Sequence, residues 1–176
     1  YTYTITDANA CTYSNTINIS HPNVLEINPT IVNVNCKDES NGYIILNTSG
    51  GTTPYIEDFG SANPFALAAG NYPFTITDNN ACIYTSSITI SEPDSLLVSP
   101  TSTNASCGGY FDGTATLLVT GGTPTYNSNW GLSNPNGLNA GIHTYIVNDA
   151  HNCISQGSVT ITEPPAMQII VDTFSV

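Results

Sequence analysis

The chain has 176 residues and a single basic residue, Lys37, against 13 acids, which gives a net charge of −12. Binding through phosphate neutralisation needs clustered lysine and arginine, so this balance excludes a nucleic-acid partner and a polybasic hold on anionic lipid. No run approaches the roughly 18 apolar residues of a membrane-spanning helix. With 8% charged residues, solubility rests on Ser, Thr and Asn side chains and on the acidic excess.

The first element alternates: Tyr1, Tyr3 and Ile5 stand against Thr2, Thr4 and Thr6. A period of two with one apolar and one hydroxyl face predicts a half-buried antiparallel strand. A turn at Asp7 to Cys11 follows, and a second strand carries Ile17 and Ile19. Seventy-one residues later the pair recurs: Tyr72, Phe74 and Ile76, the hairpin loop Asp78-Asn79-Asn80-Ala81, then Ile88 and Ile90. It recurs again around Asp149, ending with Val159 and Ile161. Between these hairpins, a strand over 43–48 matches 114–120 and stops at Gly50-Gly51 and Gly121-Gly122. Paired glycines permit a sharp change of direction. A further strand carries Tyr55 and Phe59, matching Tyr126 and Trp130, aromatic residues suited to filling the space between two sheets.

Laid on each other without a gap, residues 25–95 and 96–166 are identical at 25 of 71 positions. A repeat at fixed period takes precedence over the single domain that the length suggests. The expected organisation is the end of a repeat over 1–23, complete repeats over 24–94 and 95–165, and the first strand of another over 166–176. The chain therefore reads as a window on a longer array. Short strands with regular turn signals and no helical stripe predict an all-β fold of tandem immunoglobulin-like antiparallel β-sandwich repeats. The Glu92-Pro93 and Glu163-Pro164 joints predict a stiff connection and a rod.

These residues resemble the SprB-type repeat. "SGGTTPY" at 49–55 and "TGGTPTYNSNW" at 120–130 are similar to its Gly-Gly-Thr-Pro-Pro-Tyr…Trp core. "LAAGNYPFTITDNNAC" at 67–82, "LNAGIHTYIVNDAHNC" at 138–153 and "TITDANAC" at 4–11 resemble its Leu-Ala-Ala-Gly-Thr-Tyr…Asp-Ala-Asn-Gly-Cys ending, whose Tyr…Asp…Gly-Cys half PKD-like domains share. The family's turn glycine is Ala10, Ala81 and Asn152 here. The resemblance implies a giant adhesin on the cell surface of a Gram-negative, Bacteroidetes-like bacterium. Such proteins leave the cell by type IX secretion, and some are carried by the gliding machinery. Their repeats serve as stalk.

Five cysteines in a secreted repeat predict disulfides. The register-matched choice within repeats is Cys36–Cys82 and Cys107–Cys153, leaving Cys11 to a partner before this window of the array. Each bridge would close a loop of about 46 residues, worth roughly 4 kcal/mol. In a strict immunoglobulin topology, however, those loops lie at opposite ends of the sandwich. A bridge between repeats, Cys36–Cys153, satisfies the same spacing, and free thiols are the third reading.

Asp7, Asp78 and Asp149 keep register and have two readings, a calcium ligand or a carboxylate accepting turn amides. Asp38, Glu39, Glu57 and Asp58 align with Gly109, Tyr110, Ser128 and Asn129, so no acidic cluster is common to the repeats, and they read as a solvated face. His21, His143 and His151 share no register, and Trp130 aligns with Phe59 as a core residue. No cofactor is implied, and the absence of hydrolase, metalloprotease and phosphate-loop motifs points away from an enzyme. Asn18, Asn47 and Asn104 stand in Asn-x-Ser sequons. Ser95, in Asp94-Ser95-Leu96 at a joint, is the O-glycosylation candidate. The leading functional expectation is a stalk whose partners are its own neighbouring repeats. The alternatives are modules that bind surface polysaccharide, or chains that self-associate into a filament.

Overall fold

The computed structural model describes residues 1–170, which are antiparallel all-β, without a helix. Strands β1 (Thr2–Thr6) and β2 (Thr12–Thr16) form a hairpin in the register Thr2↔Thr16 to Thr6↔Thr12. The next strands are β3 (Glu26–Ile27), β4 (Thr30–Val32), β5 (Tyr43–Ile45) and β6 (Thr48–Ser49). Here β3 pairs with β6 and β4 with β5. Strands β7 (Ile56–Asp58), β8 (Gly70–Thr77) and β9 (Ile83–Ile90) make a sheet in that order. One repeat later, β10 (Leu97–Thr103) pairs with β11 (Thr114–Thr120). A second sheet there holds β12 (Asn127–Asn129), β13 (Gly141–Asn148) and β14 (Ile154–Ile161). The expected strand over 166–176 is not formed at 166–170, and 171–176 lie outside the described residues.

Contacts divide the chain into two compact units. One holds Tyr1–Ile31, Ile44–Pro64 and Asn71–Ile88. The other holds Val32–Tyr43, Phe65–Gly70 and the described residues from Thr89 onward. The division does not follow the sequence boundaries, because the Cys36 loop is fastened to residues that follow its own repeat.

In the second unit, Ala105, Ala115, Leu138, Tyr145, Val147, Val159 and Ile161 form one buried cluster, with Val98, Leu117, Val119 and Trp130 packed against it. These side chains come from both sheets, so the core is the filling of a sandwich. One repeat earlier, Val34, Ile44, Leu67, Phe74, Ile76, Ile88 and Ile90 occupy the same register positions, and each is buried. Full burial of such a side chain is worth about 1.5–3 kcal/mol. The matching face of the first hairpin behaves differently. Tyr1, Tyr3 and Ile5 remain 85%, 37% and 60% exposed, and a two-stranded hairpin without a covering layer has little stability of its own.

The continuous β11 has two short counterparts in the first repeat, β5 and β6. Asn47 causes the break: its φ is 50°, and its side-chain amide donates to the Asn28 carbonyl and to Thr30 Oγ1, both at 3.0 Å. The hairpin turns keep their geometry without glycine. Ala10, Ala81 and Asn152 adopt φ of 65°, 60° and 65°, a left-handed conformation that costs a residue with a Cβ roughly 1–2 kcal/mol. Ala81→Gly is therefore expected to stabilise the first unit by about 1 kcal/mol, read as a higher urea midpoint at unchanged slope.

Candidate functional site

The joint between repeats is built from the loop after β4. Asn33 Oδ1 accepts from the Ser91 amide at 3.0 Å, and the Val34 amide donates to the Ser91 carbonyl at 3.0 Å. Glu92 then takes the loop itself: Oε2 accepts the Asp38 amide at 2.8 Å, and Oε1 pairs with Lys37, the chain's single basic residue. The Lys37 hydrogen bond, with the Asp38 amide, holds the Glu92 carboxyl below its ordinary range. The second repeat reproduces the clasp without a lysine. Asn104 Oδ1 accepts from Thr162 at 3.0 Å, the Ala105 amide donates to the Thr162 carbonyl at 3.0 Å, and Glu163 Oε2 accepts the Gly109 amide at 2.7 Å.

From this clasp Cys36 reaches the next repeat. It forms a disulfide with Cys153, the two Cα atoms 5.6 Å apart, inside the range such a bond requires. This corrects the register-matched pairings Cys36–Cys82 and Cys107–Cys153. The reason is visible in the second unit. Cys153 immediately precedes β14, whereas the Cys107 loop is held by Glu163, two residues beyond the end of that strand. Ten extended residues span about 30 Å, far beyond disulfide reach. Cys36 and Cys82 stand in the same register. Cys11, Cys82 and Cys107 are exposed free thiols. Beside the bond lies a cleft of about 480 Å³, walled by Lys37, Asp38 and Glu39 on one side and by Asp94, Ser95, Leu96, Gly122 and Asn152 on the other. Ser95 is exposed there.

The aspartates position the cysteines. Asp149 Oδ1 accepts the amides of His151 and Cys153 at 2.9 Å each, and Oδ2 accepts Thr123 at 2.7 Å. Asp78 does the same with Asn80, Cys82 and Thr52 at 2.9, 2.8 and 2.9 Å. Asp7 Oδ1 accepts Asn9 and Cys11 at 2.9 and 2.8 Å. This is the turn-amide geometry. Inward-pointing N–H groups favour a carboxylate and oppose a cation. Among the described residues no three His, Cys, Asp or Glu gather as a metal group.

Burial pushes the Asp149 carboxyl up, but the amides of Thr123, Cys153 and His151 together outweigh it and hold it below the ordinary value. A carboxyl depressed in the folded state stabilises above its unfolded pKa, and that contribution is lost as pH falls through the folded value. Thermal melts are expected to hold this contribution from neutral pH down to about pH 4 and to lose it below. Asp149→Asn turns an amide donor toward a backbone donor, costs about 1–3 kcal/mol at neutral pH, and flattens the acid limb.

Other singled-out residues have local roles. Tyr55 and Tyr126 are not core fillers. Their hydroxyls donate to the carbonyls five residues back, Gly50 at 2.5 Å and Gly121 at 2.7 Å. Trp130 does pack on the core, its ring 5.3 Å from Tyr145. Glu57 accepts from Thr48 Oγ1, Asp58 from the Gly60 amide and Glu39 from the Asn41 side chain. The three histidines stay apart: His21 bonds Pro22, His143 bonds Ser133 and Asn139, and His151 bonds Thr123.

The glutamates of the joints are what sequence reasoning missed. The adjacent prolines suggest only a stiff joint, yet Glu92 and Glu163 keep register while the loop residues they hold, Lys37 and Asp38 against Gly108 and Gly109, do not, and that constancy was the available signal. No curated protein and no solved structure matches the chain. A family model does: the SprB repeat matches residues 28–55 and 99–130, two stretches whose starts lie 71 residues apart, the period of the repeat itself.

Proposed function

We propose that these repeats are stalk modules of a large adhesin-like protein on a bacterial cell surface, and that they act mechanically, by reach and stiffness. The observation that carries this reading is the Cys36–Cys153 bond, which ties a loop of one repeat to the turn of the next. The bond is a covalent strut inside one compact unit, and it keeps the Cys36 loop from being drawn out of the repeat that follows it, as a spacer under load requires. The SprB match supports it, because that is a structural repeat family and not an enzyme family. In this reading the Bacteroidetes-type host exports the parent protein by type IX secretion, and it serves attachment and gliding. Its immediate partners are neighbouring repeats of the same chain, and Ser95 carries an O-glycan.

Immunogold labelling of the source cells, with antibody raised against this chain, tests the reading. The expected result is gold along thin fibres projecting from the surface. Label confined to the cell interior would refute it. Intact-mass analysis of the Ser95 peptide from the native protein tests the glycan separately.

A further inference from the structure

A chain pulled at two points carries the load along the shortest covalent path between them, and here that path leaves the sequence. Cys36 and Cys153 are bonded although they stand 117 residues apart. Load arriving from the side of Tyr1 comes through β4, which ends at Val32, and reaches Cys36 soon after. It crosses the two sulfurs and departs through β14, whose first residue, Ile154, follows Cys153 directly. The chain from Lys37 to Asn152, with all of β5 to β13, is a closed side loop of that path.

The strand that takes the load is already extended. Every residue of β14 is in register with β13, from Asn148↔Ile154 to Gly141↔Ile161. A strand rises about 3.3 Å per residue, and a fully stretched chain reaches at most about 3.6 Å. Opposite pulls at the two ends of β14 therefore gain only about 2 Å along it and nothing by peeling it from β13. Val159 and Ile161, buried in the core of the second unit, keep it seated. Without the bond, the pull would enter at Lys37 and have to reach Asn152 through β5 to β13. Antiparallel strands fold back on one another, and such a path lengthens only by giving up their pairing.

We infer that the Cys36–Cys153 bond is a redox-controlled load bypass. While it is closed, tension passes from β4 to β14 through the sulfurs and residues 37–152 are hidden from it. When it opens, those residues become extensible. That tension acts on the chain in service rests on the stalk reading, but the path that tension takes does not. Opening the bond needs a two-electron thiol reductant, and a small dithiol suffices. One reagent thiolate attacks a sulfur of the bond and releases the other protein sulfur as a thiolate. The reagent's second thiolate then attacks the reagent sulfur of that mixed disulfide and releases the remaining protein sulfur. The reagent ends as a cyclic disulfide, and its two protons and two electrons leave two protein thiols.

The test is single-molecule pulling of the oxidised full chain by its two ends. Residues 1–35 and 154–176 supply at most about 200 Å of chain, at roughly 3.5 Å per residue, and extension is expected to stop there. Dithiothreitol added under constant force should release about 400 Å more, the length of the 117-residue loop. Val147 is fully buried in the core of the second unit. Val147→Ala should speed the release after reduction about tenfold at a given force and leave the oxidised record unchanged. Extension well past 200 Å without reductant, no release on reduction, or an oxidised record that shifts with Val147→Ala would overturn the inference. So would a release near 160 Å, which is what the roughly 46 residues from Cys36 to Cys82 supply. Surface labelling that fails while these pulling results hold would remove the stalk reading alone.

Discussion

Cys153→Ser is expected to destabilise the second unit by about 4–5 kcal/mol. The bond links residues 117 apart in sequence, and the chain-entropy model assigns a closed loop of that length a little under 5 kcal/mol. For a structure of this size the loss lowers the melting temperature by roughly 10 °C or more. Cys36→Ser should match it, and the double variant should be no worse than either, because both remove one interaction. Cys107→Ser should be silent in monomeric protein. A reducing agent should bring wild type down to the variants. The discriminating comparison is Cys82→Ser: if it melts like Cys153→Ser, the pairing is within the repeat and the strut across the joint does not exist.

The core was legible because it needs only the kind of residue to repeat. An alternating pattern with apolar side chains at Phe74 and Ile76, or Tyr145 and Val147, specifies a buried face whatever the partner sheet is. The turn aspartates were legible for a similar reason, since Asp149 bonds residues two and four positions on. Disulfide pairing was not legible. In a strictly periodic sequence, partners 46 apart and partners 117 apart satisfy the same arithmetic, because 117 is 46 plus one period of 71. What decides between them is the length of β14, which puts the Cys107 loop and Cys153 at opposite ends of one strand. The break at Asn47 was hidden too. Its counterpart Leu118 lies in an unbroken strand, and only the side-chain bonds to Asn28 and Thr30 show why asparagine leaves the ladder.

The paired glycines link these features, and Gly121→Ala should show it. Gly121 has φ of 70°, and a Cβ there would run into the Ser95 carbonyl, a backbone atom that cannot swing aside. Its own carbonyl accepts the Tyr126 hydroxyl, and the next amide, Gly122, donates to Asp94 at 2.8 Å. The left-handed conformation costs alanine about 1–2 kcal/mol, and the displaced backbone about 1–3 more, so a loss near 3 kcal/mol is expected in urea titrations. Gly131→Ala separates the two contributions, because that residue has φ of 61° with nothing near a Cβ, and should lose only the first. Asp94 and Ser95 also wall the cleft at the disulfide. Pushing them aside should therefore slow reformation of Cys36–Cys153 after reduction in Gly121→Ala but not in Gly131→Ala. Equal rates in the two would mean that the glycine pair shapes the turn alone and does not set the wall against which the neighbouring repeat is fastened.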